Sequence, residues 1–344
     1  MSKKIGILTG GGDCPGLNPA IKGCVWGAEK FGYECIGLTD GWKGLVEGLT
    51  TPLNKEITEY AIMRGGTMLG TSRTNPFKQP ENVKKCLETF KKLDLHALVA
   101  MGGEDTLGVA TRFYKEHKLN VVGVPKTMDN DLSATDYTFG FDTSVTKAME
   151  AAEALADTGR SHRRVMVMEV MGRHAGWVAL FTGIASAADF VCLPEKKVDT
   201  KAMIEKVKAA YAKKKFALVV TSEASELDSV GEDDIKHALD HFGHRILKDR
   251  GMGEHIAQFI EKATGLETRH AVIGHMQRGG SPTLFDRMLG VRVGVKAAEL
   301  VRDGQFGQMS ALVGNNIVGV PLEKATGALK VVTGNWFDLM EVLF

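Results

Sequence analysis

The most constraining feature of this sequence is a short apolar run that leads into a polar, glycine-rich loop and then into a stretch with helical periodicity. Residues 98–101 and 121–124 are two such runs, and residues 105–118 between them have the apolar spacing of an amphipathic helix. Strand, loop, helix and strand in this order form a right-handed crossover between parallel strands, and both loops then leave the carboxyl edge of the sheet. The chain is therefore predicted to be an α/β protein with its ligand site at that edge.

Four carboxylates and a lysine lie in the two loops that follow these runs. The first loop contains Glu104 and Asp105, and the second contains Lys126, Asp129 and Asp131. Carboxylates that converge on one crevice repel one another unless a cation neutralises them. The pattern therefore predicts a divalent cation and at least one further carboxylate that is available for proton transfer. The alternative for the second loop is a simple Asx turn after the strand.

Another glycine-rich loop, residues 10–16, stands between a predicted strand and a predicted helix. The backbone N–H groups of such a turn, together with the positive end of the helix, bind anions and most often phosphate. The loop departs from the P-loop motif, because Leu17 and Asn18 stand where that motif has Lys and Ser or Thr. It also departs from the dinucleotide motif, because Pro15 replaces its last glycine. The loop is either a phosphate site of another kind or a tight turn.

The rest of the chain repeats the alternation of strands and helices. Further strands are predicted at residues 4–9, 33–38, 164–170, 190–193, 216–221 and 269–273, and further helices at residues 18–30, 143–156, 200–213, 232–248, 254–264 and 284–302. This alternation predicts mostly parallel sheets that are covered by helices on both faces. The 344 residues are enough for about two domains. We expect the chain to cross between the domains near Gly140.

Composition excludes several kinds of partner and points to a cytoplasmic protein. The formal net charge is +1, which gives no reason to expect nucleic acid or an anionic membrane as a partner. No apolar run approaches the length of a transmembrane helix, and the apolar stretch after Lys3 and Lys4 is too short for a signal peptide. The five cysteines are odd in number and scattered, which is typical of reduced thiols in the cytosol.

Arginines recur at strand ends and in glycine-rich loops. They are Arg73, Arg164, Arg173, Arg269 and Arg278. Each one alone is typical of a solvated surface residue, but together they indicate a site for a multiply anionic ligand. Acidic groups for a metal, amide-rich loops for phosphate and several arginines favour phosphoryl transfer, in which positioning and charge neutralisation do most of the work.

With these motifs in place, the sequence resembles the 6-phosphofructokinase family over almost its whole length, apart from the last twenty or so residues. The shared motifs are residues 11–18 (Gly-Gly-Asp-Cys-Pro-Gly-Leu-Asn), 102–106 (Gly-Gly-Glu-Asp-Thr), 125–131 (Pro-Lys-Thr-Met-Asp-Asn-Asp), 171–177 (Met-Gly-Arg-His-Ala-Gly-Trp) and 274–282 (Gly-His-Met-Gln-Arg-Gly-Gly-Ser-Pro). The resemblance implies two Rossmann-like, three-layer α/β/α domains with the active site in the cleft between them. We expect the larger, donor-binding domain at residues 1–140 and about 277–304, and the smaller, fructose-6-phosphate-binding domain at residues 141–276 and about 305–344.

The resemblance also implies roles for individual residues. Asp129 matches the general base that takes the proton from the C1 hydroxyl of the sugar, and Asp131 supports it. Glu104 stands where the family has its magnesium-associated aspartate, so Mg²⁺ is the implied cofactor. The implied catalytic group is Asp129, Asp131, Lys126, Thr127 and Arg173. Fructose 6-phosphate is expected at Thr127, Asp129, Arg164, Met171, Gly172, Arg173, Glu223, Arg269, His275 and Arg278. The phosphoryl donor is expected at Gly11, Arg73, Gly103, Asp105, Thr106 and Lys126.

Two of these arginines imply a partner. Arg164 and Arg269 match positions that reach the 6-phosphate of the sugar from the neighbouring subunit. The functional unit is therefore expected to be a homo-oligomer, at least a dimer. No nucleic acid and no membrane is expected as a partner.

The choice of donor depends on Asp105 and Lys126. ATP-dependent bacterial members of the family have glycine at both positions, whereas pyrophosphate-dependent members have aspartate and lysine, as here. A carboxylate at position 105 adds bulk and negative charge where the α-phosphate of a nucleotide would lie, and this disfavours ATP. A lysine at position 126 offers a compact cation to a transferring phosphate. The alternative is that Asp105 is only an acid at a helix amino terminus and Lys126 a surface residue.

The resemblance therefore implies a magnesium-dependent, reversible transfer of phosphate from pyrophosphate to O1 of fructose 6-phosphate, a reaction of glycolysis and gluconeogenesis. An ATP-dependent 6-phosphofructokinase is the alternative, and a related acceptor such as sedoheptulose 7-phosphate is also possible. A non-catalytic sugar-phosphate sensor on the same fold is a more remote alternative.

One departure from the family bears on regulation. Allosteric bacterial members use a cluster of arginines at their effector site, and two of those positions hold Lys22 and Trp26 here. A tryptophan cannot pair with a nucleotide phosphate, so we expect weak or absent regulation by nucleotides.

Overall fold

The computed structural model describes residues 2–228 and 251–344. The chain divides into two compact units. The first unit comprises Met1–Met128, Leu132–Thr143 and Arg278–Leu329, and the second comprises Asp129–Asp131, Ser144–Gln277 and Lys330–Phe344. The helix expected at residues 232–248 lies outside the described residues. No helix in the described part of the chain is long and apolar enough to cross a membrane.

Strands and helices alternate along the described residues, as the periodicity predicts. The strands are β1 (Lys4–Thr9), β2 (Glu34–Leu38), β3 (Thr50–Leu53), β4 (Leu95–Gly102), β5 (Val121–Pro125), β6 (Val165–Val170), β7 (Phe190–Cys192), β8 (Ala217–Ser222), β9 (Thr268–Val272), β10 (Gln308–Val313) and β11 (Asn316–Pro321). The α-helices are α1 (Leu17–Lys30), α2 (Trp42–Glu47), α3 (Pro80–Lys92), α4 (Glu104–His117), α5 (Phe141–His162), α6 (Trp177–Ala185), α7 (Thr200–Lys214), α8 (Met252–Thr264), α9 (Leu284–Arg302), α10 (Leu322–Thr326) and α11 (Asn335–Leu343).

The first unit is built on a seven-stranded sheet with the order β11-β10-β5-β4-β1-β2-β3. The pairs β2–β3 and β10–β11 are antiparallel, and the other pairs are parallel. Strands β4 and β5 are apolar and fully buried over their central residues, as expected for strands with helices on both faces. Thr9 pairs with Met101, and Gly102 pairs with Pro125, so β1, β4 and β5 end at the same edge. The predicted crossover and the common edge of its two loops are confirmed.

Glycines allow the two long helices of the first unit to approach closely. A Cβ atom on Gly23 of α1 would lie 2.3 Å from the carbonyl oxygen of Val291 of α9. A Cβ atom on Gly294 of α9 would lie 2.2 Å from the carbonyl oxygen of Ala20 of α1. Real Cβ atoms do not occur at such distances, so the contact between these helices requires glycine at both positions. Through this contact α9 holds α1, the helix that follows the first glycine-rich loop.

The second unit is built on a four-stranded parallel sheet with the order β7-β8-β6-β9. Strands β6 and β8 are completely buried, and apolar side chains of α7 and α8 pack against them. Strand β9 is the edge strand, and most of its side chains are exposed or half-buried. Two mostly parallel α/β sheets confirm the predicted fold class.

The units differ in three respects from the domains expected from the sequence. Residues 305–344 were expected in the second domain, but residues 305–329 belong to the first unit. The reason is that β10 extends the first sheet, with Gln308 paired to Val122 and Met309 to Gly123. The boundary expected near Gly140 lies inside α5, between Thr143 and Ser144. The short segment Asp129–Asp131 belongs to the second unit.

Candidate active site

In the first unit, the glycine-rich loop at residues 10–16 contacts the end of β4 and the loop at residues 71–73. The N–H group of Gly10 donates to the carbonyl oxygen of Met101 at 2.9 Å, and that of Gly11 donates to the carbonyl oxygen of Ser72 at 3.4 Å. Thr71 Oγ1 donates to the carbonyl oxygen of Gly11 at 2.5 Å. Gly11 has φ +78°, a conformation that favours glycine. These bonds attach the loop that carries the exposed side chain of Arg73 directly to the glycine-rich loop.

Lys126 is buried against the same glycine-rich loop. Its side chain is only 5% exposed, and its ammonium group donates to the carbonyl oxygen of Gly12 at 2.5 Å. A Cβ atom on Gly11 would lie 3.4 Å from Lys126 Nζ, so the loop and the ammonium group are in direct contact. Burial of a charged amine is unfavourable unless polar or anionic groups compensate for the lost water. The interpretation of Lys126 as a surface residue is therefore wrong.

The acidic residues of the first loop begin a helix. Strand β4 leads through Gly103 into α4, whose first turn contains Glu104 and Asp105. Negative charge is favourable there because of the helix dipole. The next residue, Thr106, is 3% exposed, and a Cβ atom on Gly10 would lie 2.5 Å from its hydroxyl oxygen. The start of α4 therefore lies directly against the glycine-rich loop. This position is compatible with both interpretations of Asp105, and substitution must decide between them.

Arg278 lies at the glycine-rich loop. It ends a short 3₁₀ helix, Gly274–Arg278, and a Cβ atom on Gly12 would lie 2.5 Å from its Nη1 atom. The family resemblance assigns Arg278 to the sugar site. In the structure its guanidinium group and the ammonium group of Lys126 both contact Gly12, so the loop has two cations beside it. Its Nε atom is buried and makes no hydrogen bond within residues 2–228 and 251–344.

The segment Asp129–Asp131 is a turn rather than an extended strand. Asn130 is 3% exposed and has φ +52°, the left-handed conformation that asparagine tolerates better than most residues. Asp129 and Asp131 therefore flank a left-handed residue, and their side chains do not share one side as they would in a strand. Lys330 donates from its ammonium group to Asn130 Oδ1 at 2.9 Å and from its backbone N–H to the carbonyl oxygen of Asp131 at 2.8 Å.

At the end of β6, a second glycine loop carries Met171, Gly172 and Arg173. The N–H group of Met171 donates to Gln277 Oε1 at 2.8 Å. The N–H group of Gly172 donates to Glu223 Oε1 at 3.4 Å, and the carbonyl oxygen of Gly172 accepts from the hydroxyl of Ser222 at 2.6 Å. Gly172 has φ +149°, and a Cβ atom there would lie 3.0 Å from the carbonyl oxygen of Ala175. The structure thus brings Met171, Gly172 and Glu223 together.

Arg164 and Arg269 lie at the opposite edge of that sheet. Arg164 precedes β6, and Arg269 is the second residue of β9 and pairs with Met166. Met171 and Arg173 follow the other end of β6, and at ~3.3 Å per residue the two ends are roughly 20 Å apart. His275, which follows β9, is at the same end as Arg173. Within the second unit, the structure therefore separates the two arginines from Met171, Arg173 and His275.

A glutamate joins these two arginines. Glu267 Oε1 lies 2.7 Å from Arg164 Nη2 and 2.6 Å from Arg269 Nη2. The hydrogen bond and positive charge of Arg164, together with the charge of Arg269, lower the pKa of Glu267 from its usual value. One carboxylate oxygen thus forms ion pairs with two guanidinium groups. A phosphate oxygen could bind between two guanidinium groups in the same way.

The described residues contain no group of three or more His, Cys, Asp and Glu side chains that could hold a metal ion. Mg²⁺ does not require one, because it commonly binds through one or two carboxylates together with substrate phosphates. The chemistry of Glu104 fits a metal ion held in that way.

Cysteine chemistry does not compete for this site. Cys14 lies in the glycine-rich loop, is buried, and its thiol sulfur contacts the carbonyl oxygen of Phe139. Burial raises the pKa of the Cys14 thiol to about 12, although the charge of Lys126 opposes this. A thiol with this pKa is not a nucleophile at neutral pH. The other four cysteines are also buried and reduced.

Two residues that contact the proposed site residues are not among those expected from the sequence. Gln277 is fully buried and bridges the backbone of Met171 to the hydroxyl of Ser144, with Nε2 donating to the latter at 3.0 Å. Its position inside the motif at residues 274–282 was the signal that could have found it. The other is Lys330, in the segment without any family motif, and nothing in the sequence pointed to it.

The chain resembles known proteins over nearly its full length. A model of the phosphofructokinase family matches residues 4–301. The chain is 47% identical over 345 residues to pyrophosphate–fructose 6-phosphate 1-phosphotransferase of Streptomyces coelicolor, with 99% of each chain covered. It is 43% identical over 343 residues to ATP-dependent 6-phosphofructokinase 2 of the same organism, with 99% of this chain and 100% of the relative covered.

Solved structures share the fold. A pyrophosphate-dependent phosphofructokinase from Nitrosospira multiformis matches with a TM-score of 0.85 at 20% identity, over 97% of this chain and 87% of that chain. At this level of identity the match concerns the arrangement of strands and helices.

Proposed function

This chain belongs to the phosphofructokinase family, and we propose that it transfers a phosphoryl group from pyrophosphate to O1 of fructose 6-phosphate. The products are fructose 1,6-bisphosphate and phosphate. The observation that carries the proposal is the buried ammonium group of Lys126 on the glycine-rich loop, with Asp105 in the first turn of the adjacent helix α4. Relatives with either donor have similar overall identity, so the donor must depend on a few side chains such as these.

Lys126 and Asp105 favour a small, highly charged donor. The ammonium group is a compact point charge that suits a phosphate oxygen, and it is held in place by the backbone of Gly12. The guanidinium group of Arg278 contacts the same glycine and adds a second positive charge. Asp105 adds negative charge that opposes the additional phosphate of a nucleotide. The donor site further comprises Gly11, Arg73, Gly103 and Thr106, whose backbones or side chains lie at this edge of the first sheet.

On the acceptor side, Asp129 acts as general base, with Asp131 beside it. It takes the proton of the C1 hydroxyl while O1 attacks the terminal phosphorus of pyrophosphate. The bond from that phosphorus to the bridging oxygen breaks, and phosphate leaves with the bond's electron pair. Thr127 and Arg173 act at the transferring group, while Met171, Gly172, Glu223 and His275 hold the sugar. The hydrogen bonds from Gln277 and Glu223 to the loop of Gly172 support a fixed sugar site.

Glu104 would hold Mg²⁺ together with the phosphates of the donor. When bound, the ion neutralises phosphate charge. Because pyrophosphate is cleaved to phosphate and a sugar phosphate, the free energy change is small and the reaction runs in both directions of sugar metabolism.

A homo-oligomer, with Arg164 and Arg269 supplied to the site of the neighbouring subunit, completes the proposal. Its support is that these arginines lie at the amino edge of the second sheet, roughly 20 Å from the loops assigned to the sugar. This separation favours a contact with the sugar phosphate in the site of a neighbouring subunit over a contact in their own. Five buried, reduced cysteines are in keeping with the cytoplasm.

Regulation by nucleotides is proposed to be weak or absent. The indole N–H of Trp26 donates to Thr58 Oγ1 at 3.1 Å, and the ammonium group of Lys22 lies 4.1 Å from the centre of the indole ring. The ammonium group of Lys22 thus lies against the indole ring, and both residues stand at positions that are arginines in the allosteric members. An unchanged rate on addition of nucleoside diphosphates would support this proposal, and clear activation would contradict it.

The test of the function is a forward assay of the purified protein with fructose 6-phosphate and Mg²⁺ and each donor in turn. Formation of fructose 1,6-bisphosphate from pyrophosphate supports the proposal. Sedoheptulose 7-phosphate in parallel defines the breadth of the acceptor site. Faster turnover with ATP would instead assign the chain to the ATP-dependent enzymes. Binding of fructose 6-phosphate without turnover with either donor would assign it to the sugar-phosphate sensors.

A further inference from the structure

The carboxyl-terminal segment contacts the turn that contains the proposed general base. Lys330 makes two hydrogen bonds to this turn, one from its ammonium group to Asn130 Oδ1 at 2.9 Å and one from its backbone N–H to the carbonyl oxygen of Asp131 at 2.8 Å. Asn130 is 200 positions away from Lys330 in the sequence. Lys330 also lies beyond the residues that the family model matches.

The turn needs such support because it is strained and acidic. Asn130 has φ +52°, a left-handed conformation that is unfavourable for a residue other than glycine. Carboxylates on both sides of it repel each other, and a nearby ammonium group reduces that repulsion. Because the side chain of Asn130 and the backbone of Asp131 are both fixed by Lys330, the directions of the flanking side chains are fixed as well.

Lys330 is in turn held by aromatic and polar contacts of the second unit. Its carbonyl oxygen accepts from Trp177 Nε1 at 2.8 Å. The N–H group of Val332, two residues further on, donates to Glu195 Oε1 at 2.9 Å, and the same oxygen accepts from the N–H of Gly176 at 2.8 Å. Gly176 and Trp177 directly follow the loop that carries Arg173. The segment thus connects the turn of Asp129–Asp131 with residues 176–177. These residues follow the loop of Met171, Gly172 and Arg173, which we call the sugar loop.

Helix α11 anchors this segment. The ring of Trp336 packs against Trp177 at 5.6 Å and against Phe181 at 5.1 Å between ring centres. The ammonium group of Lys196 lies 3.9 Å from the centre of the Phe337 ring. The helix has no fully buried residue, so these ring contacts account for much of its attachment.

We propose that Lys330 is a positioning residue for the phosphoryl transfer, and that residues 330–344 serve to hold it against the turn of Asp129–Asp131. Lys330 acts through Asn130 and the backbone of Asp131, and it orients Asp129 toward the sugar hydroxyl. The inference rests on the proposed function, because it assigns Asp129 as the base.

The primary test is the variant Lys330→Met, assayed for kcat and for KM of both substrates. We expect kcat to fall about 10- to 100-fold, because a small displacement of a catalytic group has an effect of this size. Both KM values should stay within about twofold, since the lysine does not hold either substrate. Lys330→Arg keeps a positive donor and should recover most of the lost kcat. Lys324→Met, at an exposed lysine of α10, is the matched control and should keep full activity.

Two further variants test the route of the effect. Asn130→Gly keeps the left-handed turn but removes the amide that Lys330 holds. If the two residues act as a pair, the double variant Asn130→Gly, Lys330→Met should be no slower than the slower single variant. Trp336→Ala loosens the anchor and should reduce kcat less than Lys330→Met does. Multiplied effects in the double variant, an unchanged kcat in Lys330→Met, or a raised KM with normal kcat would each overturn the proposal.

Hydrogen exchange separates this proposal from the proposed function. In the protein without substrate, a peptide that covers residues 127–132 should exchange faster in Lys330→Met than in the natural protein, and Lys324→Met should show no change. If the natural protein does not use pyrophosphate and fructose 6-phosphate but Lys330→Met still exchanges faster than it, the proposed function is refuted and the contact of Lys330 with the turn is retained. Normal turnover with unchanged exchange and unchanged kcat in the variant would refute the positioning role alone.

Discussion

The two units build their parts of the proposed site in different ways. In the first unit, the glycine-rich loop, the start of α4 and Lys126 follow three adjacent parallel strands, and their contacts are made largely through the backbone. In the second unit, the turn of Asp129–Asp131 is held by a side chain 200 positions away, and the sugar loop is held by Gln277, 106 positions away. The loops of the donor part thus follow from sheet order, although the ammonium group of Lys126 bonds to Gly12 from 114 positions away and the guanidinium group of Arg278 lies beside the same glycine. The acceptor part depends on side chains that tertiary structure brings from remote positions.

This difference explains how far the sequence could predict the molecule. Strand order follows from apolar runs and crossover handedness, so the edge shared by β1, β4 and β5 was predictable. The burial of Lys126 was not, because it depends on how the carbonyl group of Gly12 is directed. Helix α3 was missed, although Pro80 at its start and Lys91 and Lys92 in its last turn are ordinary helix signals. Strand β10 was assigned to the wrong unit, because pairing across a sheet is not encoded in the strand itself.

The role of Lys330 could not have been predicted for another reason. A lysine in a segment without a motif has many possible partners, and solvent is the usual one. Only the path of the chain after α10 brings it to Asn130. The left-handed conformation of Asn130 was within reach of sequence reasoning, since asparagine commonly adopts it in turns. The partner that stabilises the turn was not.

The sharpest test of the acceptor part is removal of the proposed base. Asp129→Ser should reduce turnover by about 100-fold or more, because proton transfer in the transition state is lost. Binding of fructose 6-phosphate should remain close to normal, as measured by calorimetry in the absence of donor. Unchanged turnover would show that Asp129 is not the general base. The turn of Asp129–Asp131 would then have no part in the chemistry.

The corresponding test of the donor part changes Asp105 and Lys126 to glycine together. We expect kcat/KM for pyrophosphate to fall about 10- to 100-fold, the size expected for a lost hydrogen bond to a charged group. Activity with ATP should rise relative to pyrophosphate, because negative charge at position 105 is removed. Thermal unfolding of the variant provides the control for loss of the buried lysine. If use of pyrophosphate survives unaltered, donor choice does not depend on these two residues.

A third prediction concerns the edge of the second sheet that is remote from the sugar loops. Arg164→Ala should raise KM for fructose 6-phosphate about tenfold, by loss of a charged contact to phosphate, with little change in KM for pyrophosphate. Arg160→Ala is the control, because the side chain of Arg160 is exposed and its contacts are an ion pair with Asp157 and a cation–π contact with the ring of Phe216.

Mixing of variants then tells whether the arginine acts across subunits. A hybrid oligomer of Asp129→Ser and Arg164→Ala subunits contains one site with both natural residues only if Arg164 serves the neighbouring site. Unfolding and refolding the two together should therefore restore part of the activity with a normal KM. Without such recovery, Arg164 serves its own subunit or none.

The smallest expected effect comes from the glycine-rich loop. Gly11→Ala places a methyl group 3.4 Å from Lys126 Nζ and should raise KM for pyrophosphate roughly fivefold, an effect of about 1 kcal/mol. Gly32→Ala is a matched control, since Gly32 has a similar φ of +81° but no atom within 4 Å of the added group. Equal effects of both substitutions on KM would show that backbone strain, rather than contact with Lys126, is responsible.

The specificity of this chain for pyrophosphate is proposed to depend on a buried lysine at the glycine-rich loop and an aspartate at the start of α4. Its most direct test is the initial rate of the natural protein with fructose 6-phosphate, Mg²⁺ and either pyrophosphate or ATP, at saturating concentrations of each. The account predicts formation of fructose 1,6-bisphosphate with pyrophosphate, together with a much slower or absent reaction with ATP. A faster reaction with ATP would contradict it.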